Sequence, residues 1–134
     1  MKKKVFLLES DPAQLKPLRD RLKEFLKGSS LPHRSESAIL VAVGEGATNA
    51  IRHAYQGEKG RTVRITLEDH KDKLVFRIRD YGRKIDLQKV QMPELPPKKG
   101  GGLGLYFMET MMDQVQYNTG HRRGNELILT KYKH

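Results

Sequence analysis

The stretch ESAILVAVGEGATNAIRHAY, residues 36–55, predicts an amphipathic helix that packs on a sheet. Its apolar residues recur at helical spacing and, at about 100° per residue, share an arc of roughly 120°. This stripe comprises Ile39, Leu40, Val43, Ala47, Ala50, Ile51 and Ala54. Ser35 or Ser37 is expected to cap the start of the helix, because both side chains can accept a hydrogen bond from its first turn.

Hydrophobic periodicity on either side of this helix predicts the remaining elements. In chain order these are a strand at 4–8, a helix at 12–27, the helix at 36–55, strands at 63–67 and 74–78, a loop at 82–102, a helix at 103–113 and strands at 115–117 and 127–131. Helices that cover one face of a mixed, mostly antiparallel sheet give an α+β two-layer sandwich. Residues 1–134 are predicted to form a single domain.

Composition excludes several classes of protein. The chain has no cysteine, which rules out disulfides and thiolate metal sites and suits the cytoplasm. No stretch approaches the ~20 apolar residues of a membrane span. The net charge of +10 favours an anionic partner or a lysine-rich solvated surface. Nucleic-acid binding is the weaker interpretation, since the chain has four Phe, five Tyr, no Trp and no recognisable binding motif.

Asp80 is a polar residue in a position that packing alone would not select. It follows Leu74, Phe76 and Ile78 on one face of a strand, because side chains alternate between the two faces. A carboxylate at the end of a core-facing row must be solvated, paired or hydrogen-bonded. It could accept a hydrogen bond from an exocyclic amine such as that of adenine, or it could simply cap the turn at Tyr81-Gly82.

Glu45 and Asn49 lie one helical turn apart, to the side of the apolar stripe. Gly44 and Gly46 flank Glu45, although glycine disfavours a helix interior by about 1 kcal/mol relative to alanine. Small residues beside a carboxylate and an amide indicate that another group approaches closely. Glu45 could act as a general base and Asn49 could bind Mg²⁺. A solvent-facing pair is the alternative.

The run Gly100-Gly101-Gly102-Leu103-Gly104 opens the last predicted helix. Backbone N–H groups of such a run can surround a phosphate at a helix N-terminus. The run is not a Walker motif, since no Gly-Lys-Ser/Thr follows, and no strand leads directly into it as in a Rossmann fold. A flexible hinge would explain the glycines equally well.

Together these motifs resemble the GHKL (Bergerat) ATP-binding superfamily over residues 12–133. The segment VGEGATNAIRHAY resembles its Glu-x-x-x-Asn motif, RDYG resembles its Asp-x-Gly motif, and GGGLGLYFMETMMD resembles its glycine-rich lid. The sequences of the first and third motifs are most similar to those of the bacterial anti-sigma-factor serine kinases. The resemblance implies a cytoplasmic, ATP- and Mg²⁺-dependent kinase that phosphorylates a serine of an anti-sigma-factor antagonist. It also implies a possible sigma-factor partner and a possible homodimer.

The resemblance assigns roles to individual residues. Glu45 would be the catalytic base, and Asn49 would hold Mg²⁺ and the nucleotide. His53 would lie near the phosphates, Asp80 would recognise the adenine amine, and Gly82 would let the base approach. The lid over the triphosphate would comprise Gly100, Gly101, Gly102, Leu103 and Gly104. Arg52 and Lys99 are further candidate phosphate contacts.

Two positions depart from the family pattern. Lys84 replaces a second glycine after Asp-x-Gly, and Asn125 follows Gly124 where relatives often carry a threonine that helps to bind the base. No dimerisation helix with a phosphate-accepting histidine is identifiable, so histidine autophosphorylation is not expected. A regulator that binds ATP or ADP without transferring phosphate is the alternative function, because it would need nearly the same residues.

Overall fold

The computed structural model describes residues 1–29, 31–86 and 110–133. Within them, five strands form a sheet in the order β1-β2-β3-β5-β4, and each neighbouring pair is antiparallel. The strands are β1 (Lys2–Glu9), β2 (Thr62–Asp69), β3 (Lys73–Arg79), β4 (Gln114–Asn118) and β5 (Glu126–Tyr132), and the α-helices are α1 (Leu15–Leu26) and α2 (His33–Asn49). The predicted α+β class is confirmed, although the described pairs are wholly antiparallel rather than mixed.

The core lies between the helices and one face of the sheet. α2 approaches β3 and β5 closely at Gly46, where a Cβ atom would lie 2.6 Å from Cδ1 of Ile78 and 2.7 Å from Cδ2 of Leu127. The predicted stripe of α2 is buried, with Leu40 partly exposed at its margin. Gly46 therefore lets α2 pack directly on the central strands, which is the physical reason for a glycine inside a helix.

The start of α2 differs from the prediction. The helix begins at His33 after Pro32, and neither Ser35 nor Ser37 caps it. The backbone N–H groups of Ser35 and Glu36 donate to the carbonyl of Pro32 at 3.0 and 3.2 Å. Proline has a fixed φ suited to a helix start and lacks an N–H, so it begins the helix earlier than a serine cap would.

The end of α2 widens into a π-helical turn at Ala50–Ala54, where the N–H of Tyr55 donates to the carbonyl of Ala50 at 3.0 Å. A π turn inserted in an α-helix often lies at a functional site. Of the predicted helix at 103–113, only residues 110–113 are described, and Thr110 and Met111 are helical. No helix in the described part of the chain has the length and apolar character needed to cross a bilayer.

Tyr55 links the end of the π turn to two other segments. Its ring is buried beneath the guanidinium of Arg61, 4.7 Å from the ring centroid. Its hydroxyl donates to the carbonyl of Thr62 and accepts from the N–H of Tyr81 at 2.8 Å. One phenol thus fixes the helix end against the start of β2 and against the residue that follows Asp80.

Replacing Tyr55 with phenylalanine should lower the free energy of unfolding by about 1–3 kcal/mol, because two backbone groups lose their partner. Urea unfolding measures the change. The matched control is Tyr132→Phe, since Tyr132 is exposed on β5, and it should leave stability nearly unchanged. Equal stability of the two variants would contradict the role given to the Tyr55 hydroxyl.

Candidate functional site

Asp80 lies directly after β3 and its side chain is buried, with 2% of the residue exposed. It continues the row of Leu74, Phe76 and Ile78, which are also buried. The alternation seen in the sequence therefore placed this carboxyl correctly on the helix side of the sheet. Such burial requires hydrogen-bond partners, because an isolated ionised carboxylate is strongly disfavoured in an apolar environment.

Those partners come from two loops. The backbone N–H of Gly82 donates to Oδ1 of Asp80 at 3.0 Å. The backbone N–H of Asn125 donates to Oδ1 at 3.2 Å, and Nδ2 of Asn125 lies 3.1 Å from Oδ1 and 3.3 Å from Oδ2. Oδ1 is thus surrounded by donors, whereas Oδ2 has one long contact among the described residues. Oδ2 is the atom with acceptor capacity left for a ligand.

Burial raises the pKa of the Asp80 carboxyl, and the opposing causes are the N–H of Gly82, the amide and N–H of Asn125 and the charge of Arg79. A carboxyl with a raised folded-state pKa binds its proton more tightly in the folded chain than in the unfolded chain. Its own contribution to stability therefore increases as the pH falls from the raised pKa towards the ordinary value. Its ability to accept a ligand hydrogen bond decreases over the same range, because the protonated form loses acceptor capacity.

Two glycines allow the backbone to close around Asp80. A Cβ at Gly82 would lie 2.4 Å from the carbonyl oxygen of Ala54, the last residue of the π turn. Gly124 has φ of 72°, and a Cβ there would lie 2.0 Å from the carbonyl oxygen of Asp80. Glycine is thus required at position 82 for close contact with the helix end. This requirement is separate from the predicted role of Gly82 in letting a nucleotide base approach.

Asn49 and Asp80 both act on Tyr117, a β4 residue that faces the helices. Burial raises the pKa of Tyr117 to about 12, the nearby side chain of Asn49 opposes the rise, and the charge of Asp80 adds to it. Tyr117 is therefore within electrostatic reach of two of the predicted site residues. Asn49 is partly buried at the last position of α2, where an amide oxygen could join the ligands of a hydrated Mg²⁺.

Glu45 lies one turn before Asn49 and is partly buried. It lines a groove of about 260 Å³ between α1 and α2 together with Arg19. The other residues that line the groove are Leu15, Leu18, Leu22, Leu40, Val41, Gly44 and Thr48. Neither Asn49 nor Asp80 is among the residues that line this groove, so the described part of the chain does not bring Glu45 into one cavity with them.

The other predicted phosphate-binding residues are exposed or lie outside the described residues. Arg52 and His53 are exposed on the π turn. Gly100, Gly101, Gly102, Leu103, Gly104 and Lys99 lie outside the described residues. Lys84, which departs from the family pattern, donates through Nζ to the carbonyls of Thr119, at 2.6 Å, and His121. That lysine joins the loop after Asp80 to the β4–β5 hairpin.

The sequence comparison assigns this arrangement to a family. Residues 8–131 match the family model described as histidine kinase-like ATPase domain. The chain belongs to the histidine kinase-like ATPase family. The GHKL resemblance drawn from the motifs is thereby confirmed, and membership of an ATPase domain family implies ATP binding.

Two of the similar proteins are bacterial serine-protein kinases named RsbW. Serine-protein kinase RsbW of Listeria innocua is 33% identical over 102 residues, which is 70% of this chain and 64% of the relative. RsbW of Bacillus subtilis is 36% identical over 102 residues, or 70% and 62% of the two chains. The matches thus span less than two thirds of these relatives. The solved RsbU and RsbW domains of Rv1364c from Mycobacterium tuberculosis give a TM-score of 0.72 at 16% identity, covering 98% of this chain and 32% of that one, which shows the fold alone.

Two contacts of this histidine kinase-like ATPase domain did not follow from the sequence. Asn125 was recognised only as a departure from a family threonine, whereas it is the main side-chain partner of Asp80. For Tyr117 the sequence predicts only a position in a strand. The only sequence feature that singled out Asn125 was its position after Gly124. Its burial, which requires a hydrogen-bond partner for the amide, is known only from the structure. Tyr117 gave no signal, because tyrosine is common in strands.

Gly124→Ala should destabilise the domain by at least about 2 kcal/mol, because it combines left-handed backbone strain of about 1–2 kcal/mol with a backbone clash at Asp80. Gly28→Ala is the matched control, since Gly28 has φ of 84° with no atom within 4 Å of an added Cβ. The Gly28→Ala variant should therefore show the cost of backbone strain without that of a clash. Thermal unfolding of both variants measures the difference, and a Gly28 variant as unstable as the Gly124 variant would show that the clash is unimportant.

Proposed function

We propose that the chain is an ATP-dependent serine protein kinase that phosphorylates a serine of an anti-sigma-factor antagonist, and that it also binds a sigma factor. The nucleotide-binding part of the proposal rests on the buried carboxylate of Asp80, whose Oδ2 has acceptor capacity left for a ligand. The kinase part is supported by the similar proteins named serine-protein kinase RsbW. We place this activity in the cytoplasm, with a homodimer as the assembly and without a nucleic-acid or membrane partner.

Base recognition would use Asp80 and its surroundings. The exocyclic amine of adenine would donate to Oδ2, since Oδ1 already accepts from Gly82 and Asn125. A guanine base would present a carbonyl oxygen at the equivalent position and would repel the carboxylate. Discrimination of this kind is strong because a buried acceptor without its donor is costly.

Phosphate binding would fall to the end of α2 and to the glycine-rich segment. Asn49 would supply an oxygen ligand to Mg²⁺, and His53 and Arg52 would lie towards the phosphates on the π turn. Gly100, Gly101, Gly102, Leu103 and Gly104 would cover them, with Lys99 as a further cation. Bound Mg²⁺ would neutralise phosphate charge as in other phosphoryl transfers. One amide is a sufficient protein ligand, because Mg²⁺ usually retains waters and takes phosphate oxygens.

Glu45 would accept the proton of the partner's serine hydroxyl. Its position in the groove between α1 and α2 supports this role, since the groove is open to a segment of another protein. Apolar residues line most of it, and Arg19 offers a positive charge to an acidic partner.

A second candidate is a regulator that exchanges partners with ATP or ADP and transfers no phosphate. The separation of Glu45 from the hydrogen bonds around Asp80 favours it, because nucleotide binding would then be complete without Glu45. Incubation of the chain with labelled ATP and its antagonist protein distinguishes the two functions. Phosphoserine on the antagonist supports the kinase, and nucleotide-dependent binding without label supports the regulator.

Asp80→Asn should weaken ATP binding about tenfold or more, which is on the order of 1.4 kcal/mol, because the amide is a poorer acceptor than a carboxylate. Calorimetry with Mg²⁺ and ATP measures the affinity. The matched control is Asp20→Asn on the exposed side of α1, which should bind ATP as the unmodified chain does. An unchanged affinity of the Asp80 variant would remove Asp80 from base recognition.

Glu45→Ala should retain ATP affinity within about twofold and should lose phosphotransfer by at least about a hundredfold, the usual contribution of a general base. Transfer to the antagonist is followed with labelled ATP, and affinity is measured by calorimetry. Glu36→Ala in the first turn of α2 serves as the control and should transfer normally. Full transfer by the Glu45 variant would exclude Glu45 as the base.

A further inference from the structure

We propose that Asn125 is a positioning residue that holds the Asp80 carboxylate and the loop at 83–85 in one fixed arrangement. The inference rests on the proposed nucleotide site and adds a specific requirement for an amide at this position. Asn125 is 1% exposed, so its polar atoms cannot be satisfied by bulk solvent. Each of them has a partner in the described part of the chain.

The amide of Asn125 contacts two different groups with its two donors. Nδ2 donates to the carboxylate of Asp80 at 3.1 Å and to the carbonyl of Arg83 at 2.8 Å. Oδ1 accepts from the N–H of Ile85 at 2.8 Å. The donor and acceptor capacity of one side chain thus joins Asp80 to both ends of a three-residue loop segment.

The backbone of Asn125 adds a second connection. Its carbonyl accepts from the N–H of Asp80 at 2.9 Å, and its N–H donates to the carbonyl of Asp80 at 3.2 Å. The amide side chain is therefore anchored directly opposite the carboxylate that it contacts. Movement of the loop at 83–85 would disturb the hydrogen bonds that orient Asp80, because the same amide group serves both.

A hydroxyl residue could not make these contacts together. Threonine has one donor, so it cannot serve both the carboxylate of Asp80 and the carbonyl of Arg83. Its side chain is also one bond shorter than that of asparagine. Leucine has a similar shape to asparagine and makes none of the hydrogen bonds. Threonine therefore retains at most one of the two contacts, and leucine retains neither.

Other groups also act on Asp80 and remain in each variant. Arg79 on β3 donates to the carbonyls of Asp80 and Asn125, and its charge lowers the pKa of Asp80. Burial is the main cause that raises the pKa values of Tyr55 and Tyr117, and the charge of Asp80 adds to both. The N–H of Gly82 continues to donate. A change in the titration of Asp80 would thus report the loss of the Asn125 amide.

The experiment uses the whole chain in four forms, the unmodified protein, Asn125→Leu, Asn125→Thr and the control Asn118→Leu. Asn118 lies in the same β4–β5 hairpin, and its side chain contacts the N–H of Gly120 rather than Asp80. Three quantities are measured by NMR or calorimetry. They are the carboxyl titration of Asp80 and the amide exchange of Ile85, both without nucleotide, and the affinity for ATP across pH.

Asn125→Leu should raise the pKa of Asp80, speed the exchange of the Ile85 N–H at least about tenfold, and weaken ATP binding about tenfold at neutral pH. The pH at which ATP affinity is lost should move upward with the titration of Asp80. Asn125→Thr should also speed the exchange at Ile85, because a single hydroxyl on a shorter side chain cannot hold both Asp80 and the loop at 83–85. Asn118→Leu should change none of the three.

An unaltered Asp80 titration and unaltered Ile85 exchange in Asn125→Leu would overturn the proposal. If that variant does not fold, Asn125→Thr decides, and retained protection of Ile85 in it would overturn the proposal equally. Absence of ATP binding by the unmodified chain would instead contradict the proposed function. The two measurements made without nucleotide would still establish or refute the role of Asn125.

Discussion

The buried carboxylate of Asp80 imposes the main constraint on this structure. An ionised group with 2% exposure can persist only where donors are fixed around it, and the donors come from segments far apart in the chain. Gly82 belongs to the loop after β3, and Asn125 precedes β5. Pairing of β3 with β5 brings these segments together, so the antiparallel sheet builds the site as well as the core.

The local irregularities of the fold support the same carboxylate. The π turn ends α2 against Gly82, and the N–H of Arg83 donates to the carbonyl of Ala54 at 2.9 Å. Gly124 lets the β4–β5 hairpin lie against the backbone of Asp80. The hydroxyl of Tyr55 accepts a hydrogen bond from the N–H of Tyr81, the residue after Asp80. The π turn and the left-handed backbone at Gly124 would each be unfavourable in isolation. Their contacts with the surroundings of Asp80 offset that cost. The π turn, Gly82 and Gly124 therefore all contribute to the surroundings of the proposed base site.

Much of this arrangement was predictable because it depends on periodicity. The alternation of Leu74, Phe76, Ile78 and Asp80 predicted the strand and the core-facing side of its terminal acid, and the stripe on α2 predicted the helix and its buried face. The contact of Asn125 was not predictable, since it joins residues that are distant in sequence and only strand pairing sets their separation. The start of α2 was misjudged because Pro32 competes with the serine caps.

In the proposed site, Oδ2 of Asp80 is the buried acceptor for the exocyclic amine that distinguishes one nucleotide from another. The most direct test compares ATP with purine riboside triphosphate, which lacks the 6-amino group, on the unmodified chain and on Asp80→Asn. The unmodified chain should bind ATP about tenfold more tightly than the analogue, and the variant should show little preference. Equal binding of the two nucleotides by the unmodified chain would contradict adenine recognition by Asp80.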